Sequence, residues 1–73
     1  MMQSAEILRS PSTGRTRRVF KGQRWLVVSQ RDEAAPTDLL AFNDREAADH
    51  MVGRLHRFGS LVQYVERAEV VAA

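Results

Sequence analysis

The sequence predicts a small α+β domain in the order β-β-β-α-β, a mainly antiparallel sheet with one helix across one face. Three observations carry that prediction. Residues 23–30 are the strongest run of strand formers and hold the single tryptophan, Trp25. Residues 44–58 repeat apolar side chains at helical spacing, between a capping signal and a glycine. Residues 61–71 return to a β-branched pattern suited to a last strand.

Residues 1–14 read as a flexible basic tail ahead of a single domain at 15–73. Ile7-Leu8 is a short apolar patch, and Ser10-Pro11-Ser12-Thr13-Gly14 carries the composition of a loop. The patch has three possible roles: to start a strand, to pack back on the core, or to wait for a partner. Residues 15–20 read as a first strand. Lys21-Gly22 is a turn signal, because glycine accepts positive φ without steric cost. The predicted result is a hairpin with the strand at 23–30. A three-residue loop would set Val19 opposite Trp25, a pair worth about 0.2–1 kcal/mol.

Trp25, Leu26, Val27 and Val28 place apolar side chains on both faces of the sheet, which makes their strand a central one. Trp25 is expected in the core. Residues 31–38 form a charged, proline-containing connection, and residues 39–42 a short third strand. Asn43, with Glu46 three residues on, signals a helix start at about Asp44. Ala47, Ala48, Met51, Val52, Leu55 and Phe58 form the stripe facing the sheet. Gly59 suits the C-terminal cap. A right-handed connection allows the last strand beside either the first or the third.

Composition bounds the function. At 73 residues the chain is one domain with a small core. There is no cysteine, hence no disulfide framework and no thiolate metal site. No apolar run reaches the roughly 18 residues of a membrane span, and the N-terminus lacks the pattern of a signal peptide. The expected location is the cytoplasm. Net charge is only +2, but residues 1–30 carry six basic residues against Glu6 alone, while residues 31–73 carry five against eight acids. Ten of the eleven basic residues are arginine, whose planar fork suits carboxylate and phosphate. A basic half suggests a partner with negative surface.

Catalysis finds little support in these residues, and no enzyme, cofactor or metal is expected. His50 and His56 lie roughly 240° apart around one helix, so they do not converge on a metal or substrate. Asp32, Glu33 and Asp38 do not match a calcium loop. Gly14 and Gly22 do not make a phosphate-cradling pattern. Binding is the better supported class. Ile7, Leu8, Arg9, Arg15, Arg17, Arg18, Lys21 and Arg24 are the candidate contacts, a basic and partly apolar lip suited to an acidic patch beside an apolar groove on a protein. The alternative is nucleic-acid binding by the same basic half, with Phe20, Trp25 and Phe42 available for base stacking.

In size, in the segment Ile7-Leu8-Arg9-Ser10-Pro11, in residues 19–25 and in the single helix at 44–58, the chain resembles the small host-takeover proteins of bacteriophages. Among these it is most similar to the transcription regulators that bind host RNA polymerase, as in a Xanthomonas phage. The resemblance implies a non-catalytic protein that docks near the RNA exit path, blocks initiation and favours read-through of terminators. By the same resemblance Ile7, Leu8, Arg9, Arg15, Arg17 and Arg18 would be the contacts.

Overall fold

The computed structural model describes residues 5–59 and 61–72. It is an α+β fold of six strands and one helix: β1 (Ala5–Arg9), β2 (Thr16–Phe20), β3 (Trp25–Gln30), β4 (Asp38–Phe42), α1 (Arg45–Arg57), β5 (Val62–Arg67) and β6 (Glu69–Ala72). The strands make two antiparallel sheets rather than one. The first has the order β2-β1-β6 and the second β4-β3-β5. The helix packs on the second sheet, against β3, β4 and β5.

Residues 5–14, expected in a flexible tail, are the correction with the widest consequence. Ala5–Arg9 is the central strand of the first sheet, and Leu8 is fully buried. The segment after it is a hydrogen-bonded turn. Ser10 donates its N–H to the Arg15 carbonyl at 2.8 Å, and Gly14 donates to the Ser10 carbonyl at 2.8 Å. Gly14 takes φ +75°, a conformation that costs side-chain-bearing residues energy. The turn is pinned to β5 by hydroxyls: Ser10 and Ser12 both donate to Glu66, and Ser12 also meets the Tyr64 hydroxyl. The expectations placed on Met1–Ser4 lie outside the described residues.

The expected hairpin between residues 15–20 and 23–30 does not form. β2 pairs with β1, Glu6 opposite Val19 and Leu8 opposite Arg17, whereas Trp25 pairs with Phe42 on β4 and Arg67 on β5. Residues 21–24 are a corner at which the chain passes from one sheet to the other. The last strand also divides. Ala68 interrupts it, so that β5 borders β3 and β6 borders β1. The two corners are bonded to each other, Ala68 N–H to the Arg24 carbonyl at 2.8 Å.

β3 is central, as its apolar run requires. Leu26 and Val28 turn toward the first sheet and join Leu8, Val19, Leu39 and Ala68 in the buried core between the sheets. Val27, on the opposite face of the same strand, is fully buried beneath the helix layer. Trp25 shares that face but is only half-buried. The guanidinium groups of Arg45 and Arg67 lie 5.6 and 5.2 Å from its ring centroid. Each such contact contributes about 0.5–1 kcal/mol where solvent reaches it.

The helix begins one residue later than the asparagine signal implied. Asp44, not Asn43, is the cap, its carboxylate accepting from the Ala47 N–H at 2.8 Å. Gly59 follows the helix at φ +78°, as its position suggested. Ala48 is buried and Met51, Val52 and Leu55 are half-buried, but Ala47 and Phe58 are exposed. Phe58, expected to face the sheet, is the residue that caps the helix C-terminus.

Removing residues 5–9 deletes the middle strand of a three-stranded sheet, so the shortened chain should fail to fold. Leu8→Ala should lower stability by about 2–5 kcal/mol, the usual cost of emptying a buried leucine site. Urea unfolding followed by tryptophan fluorescence measures both.

Candidate functional site

The eight residues singled out by sequence fall into two groups. Leu8, Arg17 and Arg24 serve the fold. Leu8 is core. Arg17 faces inward from β2 and donates to the Leu39 carbonyl on the outer edge of β4. Gln23 does the same for the Ala41 carbonyl at 3.1 Å. An unpaired strand edge is an aggregation hazard, and here two side chains occupy the carbonyls of β4 that would otherwise stay open.

Arg24 makes a two-pronged pair with Glu6, at 2.8 and 3.1 Å. Glu6 is buried, with 6% of its surface exposed, and Oε1 also accepts from the Gly22 N–H at 2.8 Å. Buried carboxylates need such partners. The Arg24 fork is the main cause holding the Glu6 carboxyl below the usual carboxylate range, and the Gly22 amide adds to it, while desolvation opposes them. The same bond raises the Arg24 guanidinium.

The second group remains at the surface. Alternation along β1 puts Ile7 and Arg9 on the face of the first sheet turned away from the core. Opposite them on β2 are Arg18 and Thr16, and Phe20 lies opposite Ala5. Ile7 and Phe20 keep 37% and 64% of their surface exposed, so that Arg18 has one apolar side chain directly across from it on β1 and another two positions along β2. Arg15 lies in the turn before β2 and Lys21 in the corner after it, both exposed. Arg9 is paired with Glu69 of β6 at 3.3 Å. Among the described residues no ion pair is made by Arg15, Arg18 or Lys21. The face is therefore a short apolar strip, Ile7 and Phe20, set among three uncommitted cations.

Phe20 was considered only for base stacking and not among the protein contacts, since a phenylalanine closing a strand also suits the core. Its place just before the Lys21-Gly22 corner was the available signal that it ends at the sheet margin. Glu69 was missed as well, since nothing local joins it to Arg9, sixty positions away. Along the outer margin of β2 runs a groove of about 420 Å³, with Arg17, Arg18, Val19 and Phe20 on one wall and Gln23 and Ala41 on the other. A second exposed apolar area, Phe58 and Leu61, lies beyond the helix C-terminus.

Among the described residues no three His, Cys, Asp or Glu side chains group as metal ligands. No helix among them is long and apolar enough to cross a membrane. Comparison of the chain with protein-family models, with curated proteins and with solved structures gives no match.

The Glu6–Arg24 pair predicts acid sensitivity. A carboxyl with a lowered folded pKa contributes stability above its unfolded value of about 4.3, and this is lost as pH falls through the folded value. Urea midpoints should fall as pH drops below about 4.3. Glu6→Gln should be less stable than the parent at neutral pH and show a shallower acid dependence.

Proposed function

We propose that this chain is a non-catalytic, protein-binding regulator of bacterial RNA polymerase, working in the cytoplasm through the outer face of β1 and β2. The observation that supports this most is the placing of Arg18 beside exposed Ile7 and Phe20, with Arg15 and Lys21 at either end of β2 and none of the three cations in an ion pair among the described residues. Arginine and aromatic side chains are favoured at the centres of protein interfaces. Positive charge around an apolar strip suits an acidic patch beside an apolar one. The polymerase is named as the target on the strength of the resemblance to phage takeover proteins. In that role the protein docks near the RNA exit path, hinders promoter opening and disfavours hairpin-driven termination.

One observation favours nucleic acid as a second reading. The exposed Phe20 ring beside Arg18 offers a stacking surface with a cation next to it. Such binding would weaken steeply with salt.

Affinity capture from a nuclease-treated bacterial lysate tests both. The tagged protein should retain polymerase subunits near stoichiometry. The triple variant R15E/R18E/K21E should lose them while its melting temperature moves by only a few degrees, since surface substitutions cost little. Undiminished capture by the variant removes this face from the model, and absence of polymerase from both removes the target. Recovery of nucleic acid alone, from lysate not treated with nuclease, transfers the assignment to the second reading.

A further inference from the structure

β2 is a terminal strand of its sheet, bonded to β1 on one side only. Which of its backbone groups face outward follows from the turn that precedes it. Ser10 N–H bonds the Arg15 carbonyl, so alternation makes Arg17 and Val19 the residues bonded to Leu8 and Glu6. Thr16, Arg18 and Phe20 then turn their N–H and C=O groups away from β1. The Phe20 carbonyl is taken by the Gln23 N–H at 3.5 Å. The Arg18 amide and carbonyl, midway along the strand, have no such partner among the described residues.

The two edges that flank the groove are treated differently. The outer carbonyls of β4 are occupied by Arg17 and Gln23 side chains. Among the described residues only the Phe20 carbonyl on the outer edge of β2 has such an occupant and the Arg18 groups have none, although this is the edge bordered by the uncommitted cations and by Phe20. An open edge with a cation at its start, middle and end selects an extended segment carrying carboxylates.

We infer that the open edge of β2 takes up an extended, acidic peptide segment of a partner protein as an added strand. The Arg18 N–H and C=O make the central pair of main-chain bonds. Arg18 meets a carboxylate on the residue opposite it, and Arg15 and Lys21, in the turns at either end of β2, add to the attraction for an acidic segment. This inference rests on the protein-binding reading above and specifies the chemistry of the partner.

Amide hydrogen exchange on the full chain tests it, read residue by residue by NMR. The probe is a blocked peptide of alternating glutamate and valine. Exchange at the Arg18 amide should slow at least about tenfold at saturation, with little change at Arg17 and Val19, which are already bonded. A peptide of alternating lysine and valine should do nothing. Unchanged exchange at Arg18 up to about 1 mM glutamate peptide overturns the inference, as does protection by an oligothymidylate in place of the peptide. Two variants separate charge from backbone. Arg18→Gln removes the cation and keeps the N–H, whereas Arg18→Pro removes both at an edge position where proline is tolerated. The proline variant should bind the glutamate peptide at least about tenfold more weakly than the glutamine variant, a lost hydrogen bond's worth. Equal binding overturns strand addition. Should the proline variant unfold, exchange in the unaltered chain decides alone. Polymerase capture that depends on Arg15, Arg18 and Lys21, with the Arg18 amide unprotected by the peptide, rejects the added strand and keeps the regulator.

Discussion

The corner at Arg24 holds the two sheets in register with each other. Its N–H donates to the Phe42 carbonyl at 3.1 Å, its carbonyl accepts from Ala68, and its guanidinium grips Glu6. One residue thus connects β4, the break between β5 and β6, and the central strand of the first sheet. Gly22, at φ +98°, lets the chain turn so that its own N–H reaches the same carboxylate. In so short a chain the core between the sheets is six residues deep in side chains, all of modest size. A buried ion pair adds little net stability over an apolar pair, because both charges are desolvated. What it contributes here is geometry. Two planar groups with matched donors and acceptors admit one arrangement of the sheets, where small aliphatic side chains would tolerate several.

Sequence alone recovered what is local. The apolar run at Trp25 marked the central strand, and the Asn43–Glu46 capping signal and Gly59 bracketed the helix. The pairing of strands was not legible, for reasons particular residues explain. Lys21-Gly22 is as compatible with a corner between sheets as with a hairpin, since both need one positive φ and a reversal. The choice is made by Glu6, fifteen or more positions earlier, which binds the corner. β1 was hard to read because its inward positions are Glu6 and Leu8, followed by buried Ser10 in the turn. Two of these three are polar, so the alternation that identifies a strand is absent. They are tolerated inside because Arg24, Gly22 and Glu66 satisfy them. Ala68 gave no sign of ending a strand, as its role depends on the Arg24 carbonyl.

The same distance effect divides the predicted site. A count of arginines in the first half of the chain treats them as equivalent. Folding gives Arg24 to Glu6, Arg17 to a β4 carbonyl and Arg9 to Glu69, partners that lie 18, 22 and 60 positions away. What survives at the surface is Arg15, Arg18 and Lys21, a smaller and more localised charge than the sequence asymmetry suggested. Folding also exposes Phe20, for which sequence left stacking and core both open. The candidate face is therefore a product of the β1–β2 pairing, and it exists only because the segment taken for a tail is a strand.

The charges on β2 bear on self-association as well as on partners. An open edge strand invites a second copy of itself, and antiparallel pairing of two β2 edges centred on Arg18 would bring Arg18 against its counterpart and Arg15 of one chain against Lys21 of the other. Like charges directly opposite destabilise a strand pair. The edge of β4 is protected by occupying its carbonyls, whereas the edge of β2 is protected by repulsion. Repulsion differs from occupation in being selective. It excludes another copy of the same basic strand, leaves the main-chain groups available, and reverses sign for a segment that carries carboxylates. A single device can thus disfavour pairing between copies of the chain and leave the edge ready for an acidic partner.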